Sequence, residues 1–217
     1  DLIEKISKIK SLKRIRISSI EVFYINEDFV NCLSNIDVFC PHFHIPLQSG
    51  SDEILKYMKR RYNYSQYLKK IEIIRKKIKN VTFTTDIMIG FPGEKENDFK
   101  MTYKAIEEIN FLKVHIFPFS PRYGTKAFSM ENQIDYLTKK QREKYLLNVS
   151  ENVRRAVIKE FIGENLSVLF EKKEGNYWIG YSENYIPFKV SCNRNLQNEI
   201  VKVVGKEIKD DFLYGIM

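Results

Sequence analysis

The stretch at residues 40–52, CPHFHIPLQSGSD, constrains the fold of this chain more than any other. Side chains alternate across an extended strand. Phe43, Ile45 and Leu47 therefore share one face of a strand predicted at 42–47, and His42, His44 and, just beyond it, Gln48 share the other. Ser49-Gly50-Ser51 supplies a turn, and Ser51 is a helix N-cap followed by Asp52 and Glu53 in the first turn. A strand with one apolar and one polar face, running through a polar loop into a helix, is the unit of a β/α barrel. Such barrels carry their sites at the C-terminal mouth of the strands.

The unit recurs along the chain. Leu2, Ile3, Ile6 and Ile9 mark an opening helix. Residues 14–22, RIRISSIEV, alternate as a strand, and a short helix at 26–35 carries Phe29, Val30 and Leu33. A helix from 52 to about 60 follows the central strand; the next is capped by Ser65 and buries Leu68, Ile71, Ile74 and Ile78. Residues 81–90, VTFTTDIMIG, form a third strand that ends in the FPGE turn. A helix striped by Phe99, Tyr103, Ile106 and Ile109 leads to a fourth strand at 113–119 and the loop SPRYGT. Strand and helix alternate through residue 125, which predicts a parallel α/β arrangement. A long basic helical pattern at 136–161 stops at Gly163. Beyond it lie four short β runs at 166–170, 177–181, 186–190 and 200–204. They predict a small closed barrel, because closure removes exposed strand edges. The expected organisation is an α/β part at 1–135, a connecting helix at 136–162 and an all-β part at 163–217.

The chain has 217 residues, 43% of them hydrophobic, enough for an ordinary core and a small second one. A formal charge of +8 favours an anionic partner and says nothing about fold. There is no secretory leader pattern and no apolar run long enough to span a bilayer. Cys32, Cys40 and Cys192 are irregularly spaced, which fits reduced cytoplasmic thiols better than disulfides or a complete metal site. The chain opens at Asp1 inside a helical pattern, so it reads as the C-terminal part of a longer protein, with a trimmed or processed terminus as the alternative.

Alternate residues of a barrel strand point inward. One register per strand places Arg16 and Ser18, then His42, His44 and Gln48, then Thr84, Asp86 and Met88, and finally His115 and Phe117 inside. A filled barrel has aliphatic residues there. Either these polar groups satisfy one another or the interior takes a polar ligand. Loops at 18–21, 48–51, 90–94 and 120–125 gather at one end of the strands. Gly90 and Gly93 can admit a flat ligand to the backbone. Gln48 can bond a ribose hydroxyl, and Arg122 can hold a carboxylate or phosphate or form a surface ion pair. A metal-dependent hydrolase is a rival reading, with His42 and His44 on one strand face and Asp86 and His115 completing a site, though no water-activating base is evident.

The strings RIRISSIE, CPHFHIPLQSGSDEILKYMKRRY, FTTDIMIGFPGE and VHIFPFSPRYGT, in that order and spacing, resemble the radical S-adenosylmethionine (SAM) methylthiotransferases. GYSENYIPFKV resembles the small RNA-binding β-barrel, TRAM, that ends those enzymes. Within the family the chain looks most like the branch acting on threonylcarbamoyladenosine in tRNA. It looks less like the branches acting on isopentenyladenosine or on a ribosomal-protein aspartate. The resemblance implies an α/β fold, the C-terminal two-thirds of an open radical SAM (β/α)6 barrel, followed by an all-β, OB-like TRAM barrel. It implies methylthiolation at C2 of N6-threonylcarbamoyladenosine at tRNA position 37. It also implies SAM and two 4Fe–4S clusters as cofactors, tRNA as partner, sulfur and electron donors of unknown identity, and a cytoplasmic monomer away from membranes.

The resemblance places Ser19, Glu21, Gln48, Asp86, Gly90 and Arg122 at or near the cofactor mouth. It also departs from the family in three places. The Cys-x-x-x-Cys-x-x-Cys loop does not occur in these 217 residues, so cluster ligands and catalytic residues are expected outside the chain, which alone is expected to be inactive. Asp86 and Met88 stand where related enzymes have the Gly and Ile of Gly-x-Ile-x-Gly. Lys95 stands where a capping Thr is expected, weakening a helix start by about 1 kcal/mol. Cys40, at a strand start, reads as structural, and no metal ligand is expected in the chain.

For tRNA, Lys59, Arg60 and Arg61, with the long basic helix, are the expected backbone contacts. Tyr181 and Tyr185 are the expected stacking platforms, although tyrosines on strands more often pack. Residues 160–217 carry seven basic against nine acidic side chains, unlike a strong phosphate binder. A non-catalytic RNA-binding fragment is the remaining alternative. An open edge at residues 14–22 is expected to favour aggregation.

Overall fold

The computed structural model describes residues 2–217. Helices α1 (Leu2–Ser7) and α2 (Glu27–Ser34) precede a sheet of three parallel strands. Strand β1 (His42–His44) is followed by α3 (Asp52–Tyr57) and α4 (Tyr64–Lys77), β2 (Thr82–Ile89) by α5 (Glu96–Ile109), and β3 (Lys113–Pro118) by α6 (Tyr136–Lys159). The order is β1-β2-β3, with β2 paired on both edges. The register sets Thr84 against both His44 and Lys113, Asp86 against His115, and Met88 against Phe117. Phe43, Phe83, Ile87 and Ile89 lie on the other face. They are buried in one cluster with Ile45, Leu47, Tyr67, Ile71 and Ile74 from the β1–α4 region and Ile106 and Ile109 of α5. Apolar burial of this kind stabilises by roughly 1.5–3 kcal/mol per large side chain, so the helices are held to that face and leave the polar one uncovered.

Beyond α6 come β4 (Asn165–Glu174), β5 (Tyr177–Ser182), β6 (Pro187–Ser191), β7 (Ile200–Lys209) and β8 (Phe212–Ile216). They close into a barrel in the order β4-β5-β6-β8-β7, with β7 pairing back onto β4. Val168, Phe170, Phe188, Val203 and Leu213 fill it. Gly180 is needed where β5 crosses β4, because a Cβ there would strike the backbone of Leu169 and Phe170.

Several elements differ from the sequence reading. Residues 14–22 form no strand. Ile15 makes one parallel bridge to Phe39, and the Ile20 N–H reaches the His44 carbonyl at 3.1 Å. The neighbouring β1 offers only three paired residues, since Pro41 and Pro46 on either side lack an N–H. The arginines of this segment serve the β-barrel instead. Arg14 donates to the carbonyls of Tyr181 and Ser167, and Arg16 to that of Glu183. The cap of α4 is Asn63 rather than Ser65: its side chain accepts from the Gln66 N–H while Gln66 accepts from the Asn63 N–H. Helix α3 stops at Tyr57, short of residue 60, and Lys59 turns left-handed. Strand β8 is a fifth strand beyond the four runs expected from the sequence, and its local signal is the turn Lys-Asp-Asp-Phe. Asp210 and Asp211 both take positive φ and close a two-residue hairpin that pairs Lys209 with Phe212. Lys95 caps α5 without a side-chain bond, as expected, and Asp98 accepts the Lys95 N–H at 2.9 Å.

Helix α6 is locked to the sheet by charge. Arg142, 8% exposed, pairs with Glu94, 4% exposed, which also accepts the Gly90 N–H at 3.0 Å. Burial pushes the Glu94 carboxyl up, and the Gly90 N–H and Arg142 oppose that push. Several bases expected on a tRNA-facing surface are spent internally. Besides Arg142, Lys139 donates to the Phe119 carbonyl, and Arg154 and Arg155 pair with Glu151 and Asp211. Substituting Arg142→Ala strands a buried carboxylate, so urea unfolding is expected to show a loss of about 3–5 kcal/mol. The double change Glu94→Gln with Arg142→Met is expected to recover most of it.

Candidate cofactor site

Gln48 is the first residue of the site. Its N–H donates to the Asp86 carbonyl at 2.8 Å and its carbonyl accepts the Met88 N–H at 2.9 Å, yet its φ is +67°. A non-glycine residue in the left-handed region costs on the order of 1–3 kcal/mol and persists only where neighbours hold it. Here β2 grips both sides of the peptide, and the side-chain amide makes no hydrogen bond among the described residues. It faces a cavity of about 480 Å³, also lined by Tyr57, Lys59, Arg60, Met88, Phe91 and Met130. Arg60 reaches Glu21 at 3.5 Å. The cavity lies at the C-terminal ends of β1 and β2, with two apolar side chains from one strand end and polar groups from the other.

The serines beside Gln48 have a different task. Ser51 accepts the Ile54 N–H as the cap of α3 and donates to Asp98 of α5 at 2.5 Å. Thr102 of α5 accepts the Gly50 N–H and meets Ser49. Gly50 lies so close to α5 that a Cβ would stand 2.5 Å from the Met101 carbonyl oxygen. The turn is therefore bolted to a helix, and only Gln48 is presented to the mouth.

Below the mouth, the polar face of the sheet centres on Thr84. Its hydroxyl contacts His42 Nε2 at 3.1 Å and His44 Nδ1 at 2.9 Å. His44 Nε2 lies 3.3 Å from an Asp86 carboxylate oxygen, and the His44 and His115 rings are 5.9 Å apart. His42 belongs to the far end of the strands, where its ring packs 4.7 Å from Tyr185 of the β-barrel. That seam explains Tyr181 and Tyr185. Their rings stack at 4.9 Å, and the Arg16 guanidinium lies 4.7 Å from the Tyr185 ring. Thr82 donates to the Asn184 carbonyl, and Asn184 donates to the Asn80 carbonyl.

The structure thus gathers Glu21, Gln48, Lys59 and Arg60 around one mouth, with Asp86 one layer beneath. Ser19, Arg61 and Arg122 are solvent-exposed, and Arg122 sits on the exposed loop after β3. Gly90 offers no open backbone: the stem of Lys139 occupies the space where its Cβ would be. Sequence reasoning missed Thr84 as the junction between two histidines. It also missed Phe91 and Met130 as cavity walls. The pleat carried the signal for Thr84, which is paired with His44 and shares a face of the sheet with His42 and His44, but nothing local marked Met130.

The residues fit a nucleoside-bearing ligand and do not fit an iron–sulfur cluster. Gln48 offers an unpaired amide for ribose hydroxyls, and Met88 and Phe91 offer apolar surface for a base. The cysteines do not converge. The one cluster of three potential ligands among the described residues contains none of them, and burial pushes the Cys40 thiol up, away from thiolate.

Comparison with known proteins identifies the class. The radical SAM superfamily matches residues 1–106. Coproporphyrinogen III oxidase (HemN) of Escherichia coli, described as a radical SAM enzyme, shares the fold with a TM-score of 0.58 at 12% identity, over 82% of this chain and 48% of that one. Residues 1–106 belong to the radical SAM superfamily. The chain's curated relatives narrow the family. Threonylcarbamoyladenosine tRNA methylthiotransferase MtaB of Chlamydia pneumoniae is 41% identical over 216 residues, 99% of this chain and 51% of that protein. MtaB of Bacillus subtilis is 34% identical over 96% of this chain and 47% of its own length. The tRNA-2-methylthio-N(6)-dimethylallyladenosine synthase of Hydrogenobaculum sp. is 36% identical over 96% and 46%. The chain is a methylthiotransferase relative throughout and spans about half the length of the curated relatives it matches. No described helix is long and apolar enough to cross a membrane.

Burial, then the charge of Arg16, pushes His42 down to about 3 from an ordinary value of 6.5. The folded chain keeps this imidazole neutral while the unfolded chain protonates it. Stability is therefore lost as pH falls from about 6.5 toward about 3, by up to about 1.4 kcal/mol per pH unit. Thermal melts across that window are expected to show a flatter acid limb for His42→Gln.

Proposed function

We propose that this chain supplies the SAM-binding mouth and part of the tRNA-binding surface of a radical SAM tRNA methylthiotransferase acting on N6-threonylcarbamoyladenosine. One observation carries the reading: an unpaired, backbone-clamped Gln48 amide faces a nucleoside-sized cavity in a chain whose relatives are tRNA methylthiotransferases. SAM, when bound, supplies the methyl group and the hydrogen-abstracting power of the reaction. In this reading Gln48 orients the ribose and Met88 and Phe91 exclude water from the base. Glu21 fixes Arg60 at the rim, and Asp86 sets the polarity beneath. Arg122 reaches a carboxylate or phosphate from its exposed loop. Lys59, Arg60 and Arg61 meet the tRNA backbone, where each phosphate contact adds salt dependence. The closed five-stranded barrel supports a TRAM assignment for residues 163–217, with residues 136–162 linking it to the α/β part at 1–135. The threonylcarbamoyl branch is favoured by the 41% identity to a protein of that name, although relatives at 34–36% carry both names.

The protein expressed with its whole reading frame, carrying reconstituted clusters, tests this on tRNA from a strain without methylthiotransferases. Nucleoside mass spectrometry is expected to show 2-methylthio-N6-threonylcarbamoyladenosine. Gln48→Ala is expected to raise the KM for SAM about three- to tenfold, the effect of one hydrogen bond. A 2-methylthio product on isopentenyladenosine refutes the branch, and no methylthiolated nucleoside refutes the function. The 217-residue chain alone is expected to release no 5′-deoxyadenosine.

A further inference from the structure

One layer below the mouth cavity, three side chains converge that do not line it. His44, Asp86 and His115 each offer one ligand atom, and all three atoms lie within 4.8 Å of one another. The sheet register makes the convergence: His44 is paired with Thr84, and Asp86 lies directly opposite His115. The His44 Nε2 to Asp86 oxygen distance is 3.3 Å. Two ligands bound tetrahedrally at 2.0–2.2 Å stand about 3.4 Å apart, so this edge is already at ligating separation. His115 is half-exposed and makes no hydrogen bond among the described residues, so its ring is free to close the remaining gap, on the order of 1 Å. Thr84 supplies the supporting contact. Its oxygen can accept from His44 Nδ1–H, leaving the Nε2 lone pair free, while its own proton goes to His42 Nε2. Metal-bound imidazoles are held by such an outer contact on the second ring nitrogen. Two neutral imidazoles and one carboxylate suit a first-row divalent ion, not an anion or a hard alkaline-earth ion.

We propose that His44, Asp86 and His115 form a divalent transition-metal site, of the zinc or iron(II) class, with at least one coordination position open to the hollow beneath the mouth. The site does not depend on the methylthiotransferase reading and involves none of the cysteines. The test uses the 217-residue chain with its cysteines replaced, Cys32→Ser, Cys40→Ala and Cys192→Ser. It is titrated with zinc by calorimetry and with cobalt(II) by visible absorption. One ion per chain is expected, with ligand-field bands and no sulfur charge-transfer band. His115→Ala and Asp86→Asn are expected to weaken binding more than tenfold while their melting curves stay close to the parent's. Thr84→Val is expected to weaken it about tenfold without changing stoichiometry, as loss of an outer contact does. Absence of binding overturns the proposal. So does binding that survives both His115→Ala and His44→Ala. Loss of SAM binding or of methylthiolation with metal binding intact bears on the proposed function alone.

Discussion

β2 is hydrogen-bonded in parallel along both edges, and that constraint decides the rest of the α/β half. A strand paired on both sides can neither slip nor rotate without turning its apolar residues out of the core. Phe83, Ile87 and Ile89 must go under the helices, so Thr84, Asp86 and Met88 must face the opposite way. The same ladder clamps Gln48 in a left-handed conformation, sets His115 opposite Asp86 and places His44 one layer away opposite Thr84. Mouth and hollow are two consequences of one register.

The loops at the mouth are fixed by buried polar contacts, not by hydrophobic packing. Ser49, Gly50 and Ser51 are tied to Asp98 and Thr102, and the Gly90 turn to Glu94 and Arg142. Each pair has few competing partners, so it specifies one loop position, at the risk of a large loss if one member is removed. At the far end of the strands, Arg14, Arg16, Thr82 and Tyr185 join the sheet to the β-barrel. The two ends of the sheet thus have separate tasks, one open to ligand and one closed against the second barrel.

The α/β alternation and the inward polar set were legible because period-two and helical patterns are local. Gln48 was legible as a mouth residue for the same reason. What was not legible depends on partners far away in the chain. The arginines at 14 and 16 looked like strand residues but bond to carbonyls beyond residue 166. Gly90 looked like an opening until α6 laid Lys139 over it. The basic helix looked like a tRNA surface, but Arg142 is buried against Glu94 and Arg154 and Arg155 face Asp211. Asp210-Asp211 did carry a local hairpin signal and was overlooked. Family resemblance named Gln48 and Gly90 alike as mouth residues, and only geometry separated Gln48, which faces the cavity, from Gly90, which the Lys139 stem covers.

The central claim is that a nucleoside-bearing ligand enters at the C-terminal ends of β1 and β2. Photoaffinity labelling with an azido analogue of S-adenosylmethionine, followed by peptide mapping of the protein expressed with its whole reading frame, tests it most directly. Labels are predicted in the peptides containing Gln48 and Met88 to Phe91, and competed away by unlabelled SAM. Competable labels confined to the β-barrel, or to the seam around His42 and Tyr185, would contradict the account.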